Sequence, residues 1–394
     1  MRLRNVNIIG TPGLSDILFR NDQIQDVVTA GTLPDLKADF SLVFDQAIAF
    51  PGLINSHDHL DFNLFPPLGN RIYSNYTEWG RDIHQTNQAQ IARVLGIPLA
   101  LRVQWGMYKN LLNGVTTVVN HGAVLPAKDE LITIFQQSRS LHSPAFEKNW
   151  KWKLNFSFTR SRPVVIHLGE GTDESAIREI DAVARWNVFN KKVIAVHGVG
   201  MNKEQARAFH ALIWCPASNY FLLNKTAAVG EVRKKIPVLF GTDSTLTASW
   251  NLWEHLRMAR AEKAVSDEGL LNMLTRVPAK TWGLGNTGEI KRGYQADLVV
   301  AEREKGTNGL DDFYALDPGK LLLVIHRGHI RLFDEHLLDQ MKEGDMPLID
   351  FKIVFIQGRG KYIQGDLPGL MQKIHSYRQD LEFPIYASRP AVIR

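Results

Sequence analysis

The 394-residue chain has one cysteine, Cys215. No intrachain disulfide can form, and the small disulfide-stapled secreted scaffolds are excluded. Long apolar runs are missing too. The longest, such as Leu321 to Ile325, are strand-sized and fall far short of the roughly eighteen residues that span a bilayer. No extended apolar stretch follows the first arginines, so a cytoplasmic protein without a membrane partner is expected. Internal repeats, low-complexity tracts and long linkers are also lacking. Charge of one sign is scarce: 46 basic against 41 acidic residues leave +5, of which residues 351–394 carry +4. Nucleic-acid binders concentrate basic charge on one face, often among stacking aromatics. A nearly neutral body with a basic tail predicts no nucleic-acid partner.

What is present is ordinary for a globular chain, 44% hydrophobic and 22% charged. At roughly 150 residues per domain this length suggests two to three units, or one large barrel with an appendage. The first fifty residues read as short strands over 4–9, 17–19, 26–30 and 40–44, separated by turn residues. From Pro51 apolar strand-like runs (114–120, 164–168, 192–197, 212–216 and 237–241) alternate with helical segments (88–113, 173–189, 203–210 and 250–264). That alternation predicts parallel strands joined by crossover helices. After about Trp282 strands return, over 288–290, 296–302, 321–327 and 352–357, with a helix from Leu367. The expected division is residues 1–50 and 285–394 forming one β appendage around a barrel of residues 51–284. The weakest stretch is 125–162, where 131–135 and 153–158 are the candidate third and fourth strands.

The sharpest local signal is the run Pro51-Gly-Leu-Ile-Asn-Ser-His-Asp-His-Leu60. Histidines at i and i+2 of a strand point to one face, so His57 and His59 can meet one cation at the strand end. Alone such a pair is weak, and a surface pair is the commoner reading. Three further strand-like runs, however, end in His167, His197 and Asp243. In a barrel of parallel strands all C-terminal ends open on one face, where active sites sit. Five ligand-type residues are then brought together, enough for a catalytic metal with one group left for chemistry.

Together PGLINSHDHL, GVTT (114–117), HLGE (167–170), VHG (196–198), CPASN (215–219), GTDS (241–244) and ADLV (296–299) resemble the amidohydrolase superfamily, and within it the cytosine and guanine deaminase and triazine chlorohydrolase branch. The motifs appear in the family's order over residues 51–300. The resemblance implies a distorted (β/α)8 TIM barrel flanked by a composite β-sandwich. It implies His57, His59, His167 and Asp243 as ligands of one divalent metal, zinc ahead of iron or manganese. It makes His197 the hydrogen-bond partner of the metal-bound water or the substrate, Asp243 the base, and Glu170 the proton shuttle to the substrate's ring nitrogen. The implied activity is hydrolysis of a C–N bond in a small heterocycle, foremost deamination. Amide hydrolysis and dehalogenation on the same site are the alternatives, and a non-catalytic scaffold is a distant one. A homodimer is implied by resemblance only.

Departures from the family pattern matter. Binuclear members use a carboxylated lysine on the fourth strand; Lys151 and Lys153 lie near that region and read as solvated surface lysines. The segment between Thr117 and His167 is short. His121 is read equally as a pocket residue and as a packing residue. Glu170 also suits a helix start, where acids are stabilising. Ser218 and Asn219 are either a polar pocket floor or a turn, and Cys215 reads as a small buried hydrophobe. Phe62, Phe65, Tyr73, Tyr76, Trp79 and Arg71, in a loop over 61–81, either stack on a planar substrate or pack. Trp250 and Trp253 read as core.

Overall fold

The computed structural model describes residues 1–32, 40–125, 131–156, 162–303 and 309–390. The chain begins with strands β1 (Arg2–Ile8), β2 (Ser15–Arg20), β3 (Gln23–Thr29) and β4 (Ser41–Pro51). It continues through Gly52 into eight short strands: β5 (Leu53–Asp58), β6 (Val115–Asn120), β7 (Thr133–Phe135), β8 (Arg139–Leu141), β9 (Val164–Leu168), β10 (Val193–His197), β11 (Ala211–Trp214) and β12 (Val238–Phe240). It then returns to β13 (Leu298–Glu302), β14 (Leu321–His326), β15 (His329–Asp334), β16 (Phe351–Ile356) and β17 (Arg359–Gln364).

Both chain ends build one nine-stranded sheet in the order β16-β17-β15-β14-β13-β4-β1-β2-β3. Its seam is the antiparallel pairing of β4 with β13, Pro51 opposite Leu298 and Ala47 opposite Glu302. The strands between fall into two all-parallel sheets, β5-β6-β7 and β12-β11-β10-β9-β8. At one junction the backbone N–H groups of Thr242 and Asp243, just past β12, both donate to the carbonyl of His57 on β5, at 3.1 and 3.0 Å. At the other, among the described residues, no ladder joins β7 to β8. Only residues 136–138 separate these two strands, far fewer than the dozen or so that a parallel crossover requires. The arrangement is that of a distorted barrel with its wall thinned at the third and fourth strands.

Several sequence expectations are corrected here. The fourth strand is Arg139–Leu141, and the expected strand over 153–158 is instead helix in its first half, residues 157 and 158 lying outside the described residues. The Trp-Lys-Trp-Lys alternation imitates a strand, but Trp152 is exposed and burial falls on Leu154 and Asn155. The expected helix over 88–113 is broken at Gly96-Ile97-Pro98, where proline cannot continue it. Residues 288–290 form no strand; Gly288 turns at φ +83°. Strands β15 and β17 went unread. They follow two-residue turns, Arg327-Gly328 and Gln357-Gly358, whose four residues all have positive φ, the primed geometry that matches strand twist.

Helices cover the parallel strands: α1 (Tyr76–Thr86), α2 (Gln88–Leu95), α3 (Leu99–Leu112), α4 (Trp150–Asn155), α5 (Glu174–Trp186), α6 (Lys203–Ala206) and α7 (Pro216–Leu223), followed by shorter ones and Leu252–Ala261. α1 was hidden in the expected loop over 61–81. It starts at Asn75, whose side chain accepts from the backbone of Thr77 and Glu78. The C-terminal helix Leu367–Tyr377 is only half solvated, burying Leu367, Leu370, Met371 and Ile374. No helix among the described residues is long and apolar enough to cross a membrane.

A fully buried lysine–aspartate pair lies within the nine-stranded sheet. Lys361 on β17 and Asp334 at the end of β15 are fully buried and paired, and the ammonium also donates to the carbonyls of Gly319 and Leu321 at 2.7 and 2.6 Å. Removing one partner strands the other charge, which costs about 3–5 kcal/mol. Lys361→Met is expected to lower unfolding stability by that order in urea titrations, and Lys361→Met/Asp334→Asn to recover part of the loss.

Candidate metal centre

The site grows from strand ends. Alternation along β5 sends His57 to one face and Asp58 to the other. The Asp58 carboxylate is fully buried and accepts from Asn63 Nδ2 (2.8 Å), Asn110 Nδ2 (2.8 Å) and Lys109 Nζ (3.1 Å). Lys109, on α3 and itself buried, also donates to Asn63 Oδ1 at 2.9 Å. Asn55, beyond a register irregularity in β5, donates to Asp58 at 3.3 Å and to the Thr242 hydroxyl at 2.8 Å, and accepts from the Thr242 backbone at 3.1 Å. A network of side chains thus ties β5 to α3 and to the segment after β12. α3 comes close because Gly106 lies against the Leu60 carbonyl, where a Cβ would stand 2.2 Å from that oxygen. None of Asp58, Lys109, Asn55 and Asn63 was singled out from sequence, although an acid between two histidines on an apolar strand has to face a partner.

The expected residues converge. Ligand atoms of His57, His167 and His197 lie within 4.8 Å of one another, as do those of His57, His59 and Asp243. His57 Nε2 and His167 Nε2 are 3.2 Å apart, and Asp243 Oδ1 is 3.7 Å from His57 Nε2 and 3.6 Å from His59 Nε2. Gly241 permits this approach, since a Cβ there would meet the His57 Cβ at 2.7 Å. His197 and Asp243 themselves take left-handed backbone, φ +70° and +56°. Non-glycine residues adopt it rarely, and such strain concentrates at functional sites.

The partners of these rings fix their protons. His167 Nδ1 faces the His142 carbonyl at 2.9 Å, and an oxygen that only accepts requires a proton on that nitrogen. His197 Nδ1 faces Asn219 Oδ1 at 2.8 Å in the same way. Both Nε2 atoms therefore present bare lone pairs to the site. Asp243 Oδ2 accepts from Ser218 (2.8 Å) and Thr247 (3.1 Å), leaving Oδ1 facing the histidines. Burial pushes the His57 and His167 imidazoles well below the usual range, helped by neighbouring histidines, so they are neutral. For Asp243 burial acts upward, but His59, His197 and the two hydroxyls outweigh it and hold the carboxyl low. Converging lone pairs and a carboxylate oxygen with no donor suit a divalent cation.

Ser218 and Asn219, left open between pocket floor and turn, form the first turn of α7 and orient Asp243 and His197. Cys215 is fully buried and packs with Ile213 and Leu239. Trp253 is core and Trp250 is partly buried. His121 is buried beside His57 and His167, ring centroids 5.0 and 4.4 Å away, but joins neither ligand group. Lys151 and Lys153 are outside the site: Lys151 lies over the Trp186 ring at 4.3 Å and Lys153 pairs with Glu147.

Above the histidines opens a cavity of about 490 Å³. His59, His167, Glu170, His197 and Asp243 line its base, and Phe62, Phe65, Tyr76, Trp79 and Phe146 its walls. Tyr73 and Arg71 stand apart from it; Arg71 pairs with Glu78 and covers the Tyr73 ring. Glu170 is buried with Oε1 3.6 Å from His197 Nε2. Burial, Asp243 and Glu179 push its carboxyl well above the usual carboxylate range, which favours the protonated form. Glu179 on α5 accepts from the backbone of Gly169 (2.8 Å) and from the Tyr76 hydroxyl (3.1 Å), holding the turn that carries Glu170.

Two outcomes follow from these buried groups. Lys109→Met leaves Asp58 uncompensated beneath the histidines, and is expected to lower stability by about 3–5 kcal/mol and to reduce the metal content of the purified protein. Burial raises the Glu179 carboxyl to about 7, above its ordinary 4.5. The unfolded chain releases that proton first, so stability should fall as pH rises from 4.5 to 7 and stay level above. Glu179→Gln should flatten that decline, worth up to about 3 kcal/mol, in denaturation curves taken across this window.

A sequence profile described as the Amidohydrolase family matches residues 144–330. The 5-methylthioadenosine/S-adenosylhomocysteine deaminase of Pyrococcus furiosus is 25% identical, with 73% of this chain and 81% of the relative covered. The enzyme of that name from Dictyoglomus turgidum is 23% identical, with 74% and 81% covered. Among solved structures, an adenosine deaminase from Xanthomonas campestris with bound zinc superposes with a TM-score of 0.73 at 16% identity, over 96% of this chain and 98% of that one. Atrazine chlorohydrolase from Arthrobacter aurescens, complexed with zinc, gives 0.68 at 16% identity, over 95% and 99%. These likenesses carry the fold, and the profile and the ordered motifs make the chain similar to the amidohydrolase family.

Proposed function

We propose that the protein is a metal-dependent hydrolase that deaminates a small heterocycle. The observation that carries this reading is Glu170, a buried carboxyl at the base of an aromatic-walled cavity, its Oε1 3.6 Å from His197 Nε2 and beside the converging histidines and Asp243. His57, His59, His167 and Asp243 would hold one divalent ion, zinc by analogy with the two zinc-bound structures. A bound ion of this kind supplies Lewis acidity and lowers the pKa of water from 15.7 to about 7.

The chain's own groups divide the proton work. Asp243 is ionised and accepts the proton of the attacking water. His197, its Nδ1–H held by Asn219, turns a lone pair on Nε2 toward the site and accepts a hydrogen bond there. Glu170 gives its proton to the substrate's ring nitrogen as water adds, and the proton taken up by Asp243 passes to the amino group, so that ammonia leaves as a neutral molecule. Phe62 and Trp79 offer flat faces against which a planar ring stacks. The likeness to atrazine chlorohydrolase keeps dehalogenation as a second reading. Ammonia needs a proton as it leaves and chloride does not, and the carboxyls of Glu170 and Asp243 at the base of the cavity supply a route for that proton.

Elemental analysis and ammonia release together test the proposal. One divalent metal per chain is expected, lost in His57→Ala and Asp243→Ala along with activity. Glu170→Gln should keep the metal while kcat falls about 10²-fold or more, the usual contribution of a positioned proton donor. Full hydrolytic activity in the metal-free His57→Ala protein, or chloride but no ammonia released across a substrate panel, would overturn it.

A further inference from the structure

The cavity has two ends of different chemistry. Its base is buried and holds Glu170, His167, His197 and Asp243, whereas its mouth is formed by α1 and α2, where Arg81, His84 and Leu95 are exposed. Between them the wall is apolar, from Phe62, Phe65, Trp79, Ile83, Phe146 and Leu246. Ser244 and His142 also line the cavity, but three polar groups of this wall are already engaged. The Tyr76 hydroxyl donates to Glu179, Trp79 Nε1 donates to the Leu68 carbonyl at 2.7 Å, and the Thr247 hydroxyl donates to Asp243. A sugar with several hydroxyls would have to leave water for this wall with few partners, at a cost for each unmade hydrogen bond. An alkyl or aryl arm would gain from every apolar Å² it covers.

At the mouth the position is reversed. Among the described residues no carboxylate answers Arg81: Glu78 on its helix pairs with Arg71, and Asp82 takes the Tyr73 hydroxyl with Arg71 3.9 Å away. The acids that line the cavity, Glu170 and Asp243, are both at the base. A guanidinium fork at the open end of an apolar channel matches a planar oxyanion.

We infer that the substrate is an amino-heterocycle whose apolar arm ends in an anion such as a carboxylate, with the ring at the base, the arm along the aromatic wall and the anion on Arg81. The inference rests on the deaminase reading above: water adds to the ring carbon, the C–N bond breaks, and ammonia and the oxo-heterocycle leave with the arm intact.

The test uses adenine, guanine, cytosine and aminotriazine rings, each carrying a pentyl, a carboxypentyl or a ribosyl group, with ammonia release measured on the metal-loaded protein. For the ring that turns over, the carboxypentyl form should exceed the pentyl form about tenfold in kcat/KM, the scale of one charge-assisted hydrogen bond. The ribosyl form should be the slowest. Arg81→Met should bring the carboxypentyl to pentyl ratio close to one through KM, and Arg81→Lys should keep part of it. Equal rates for the carboxypentyl and pentyl forms, a ribosyl form that is fastest, or a ratio unmoved in Arg81→Met would overturn the inference and leave deamination standing. No ammonia from any of these rings would overturn both.

Discussion

The buried contact between Asp58 and Lys109 is the constraint on which the site depends. Asp58 lies between the two histidines of β5 and faces away from them, so whatever fixes its carboxylate fixes His57 and His59 on the other side of the strand. Water cannot serve at such depth, and the partners are a lysine and two asparagines from α3 and the turn after β5. Isolated, either charge would be costly to bury; paired and fully hydrogen-bonded, the two hold register. The same network reaches Thr242 through Asn55, and so locates the segment that carries Asp243.

From that anchor the electrostatics of the cavity follow by position. Residues near the shared centre are deprived of water and separate by charge type. Burial favours the neutral form of the His167 imidazole, the hydroxyls and histidines facing Asp243 hold its carboxyl low, and burial pushes the Glu170 carboxyl up. Two carboxyls in one pocket are thus pushed in opposite directions by their different surroundings. The strained backbone of His197 and Asp243 belongs to the same arrangement, since both side chains are turned in from strand ends by φ values that their residue types disfavour.

Much of this was legible in the residues. The strand-ending histidines and Asp243 were readable because parallel strands open their C-terminal ends on one face, a rule that needs only the order of elements. The regions that were misread share a physical reason. The Trp-Lys-Trp-Lys stretch has a two-residue period without a buried face behind it, and β15 and β17 depend on partners across a hairpin for their stability. The third and fourth strands are three residues each, too short to carry any period.

Sequence by itself determined the class of site: which residue types stand at the strand ends and in what order they are delivered. Tertiary structure decided their states and their surroundings. The tautomers of His167 and His197 depend on a carbonyl and an amide 25 and 22 residues away. The protonation of Glu170 depends on burial by several elements at once, and the pairing of Asp58 with Lys109 joins residues 51 apart. Local pattern encodes propensity and alternation, whereas desolvation and hydrogen-bond partnership arise only when distant segments exclude water together.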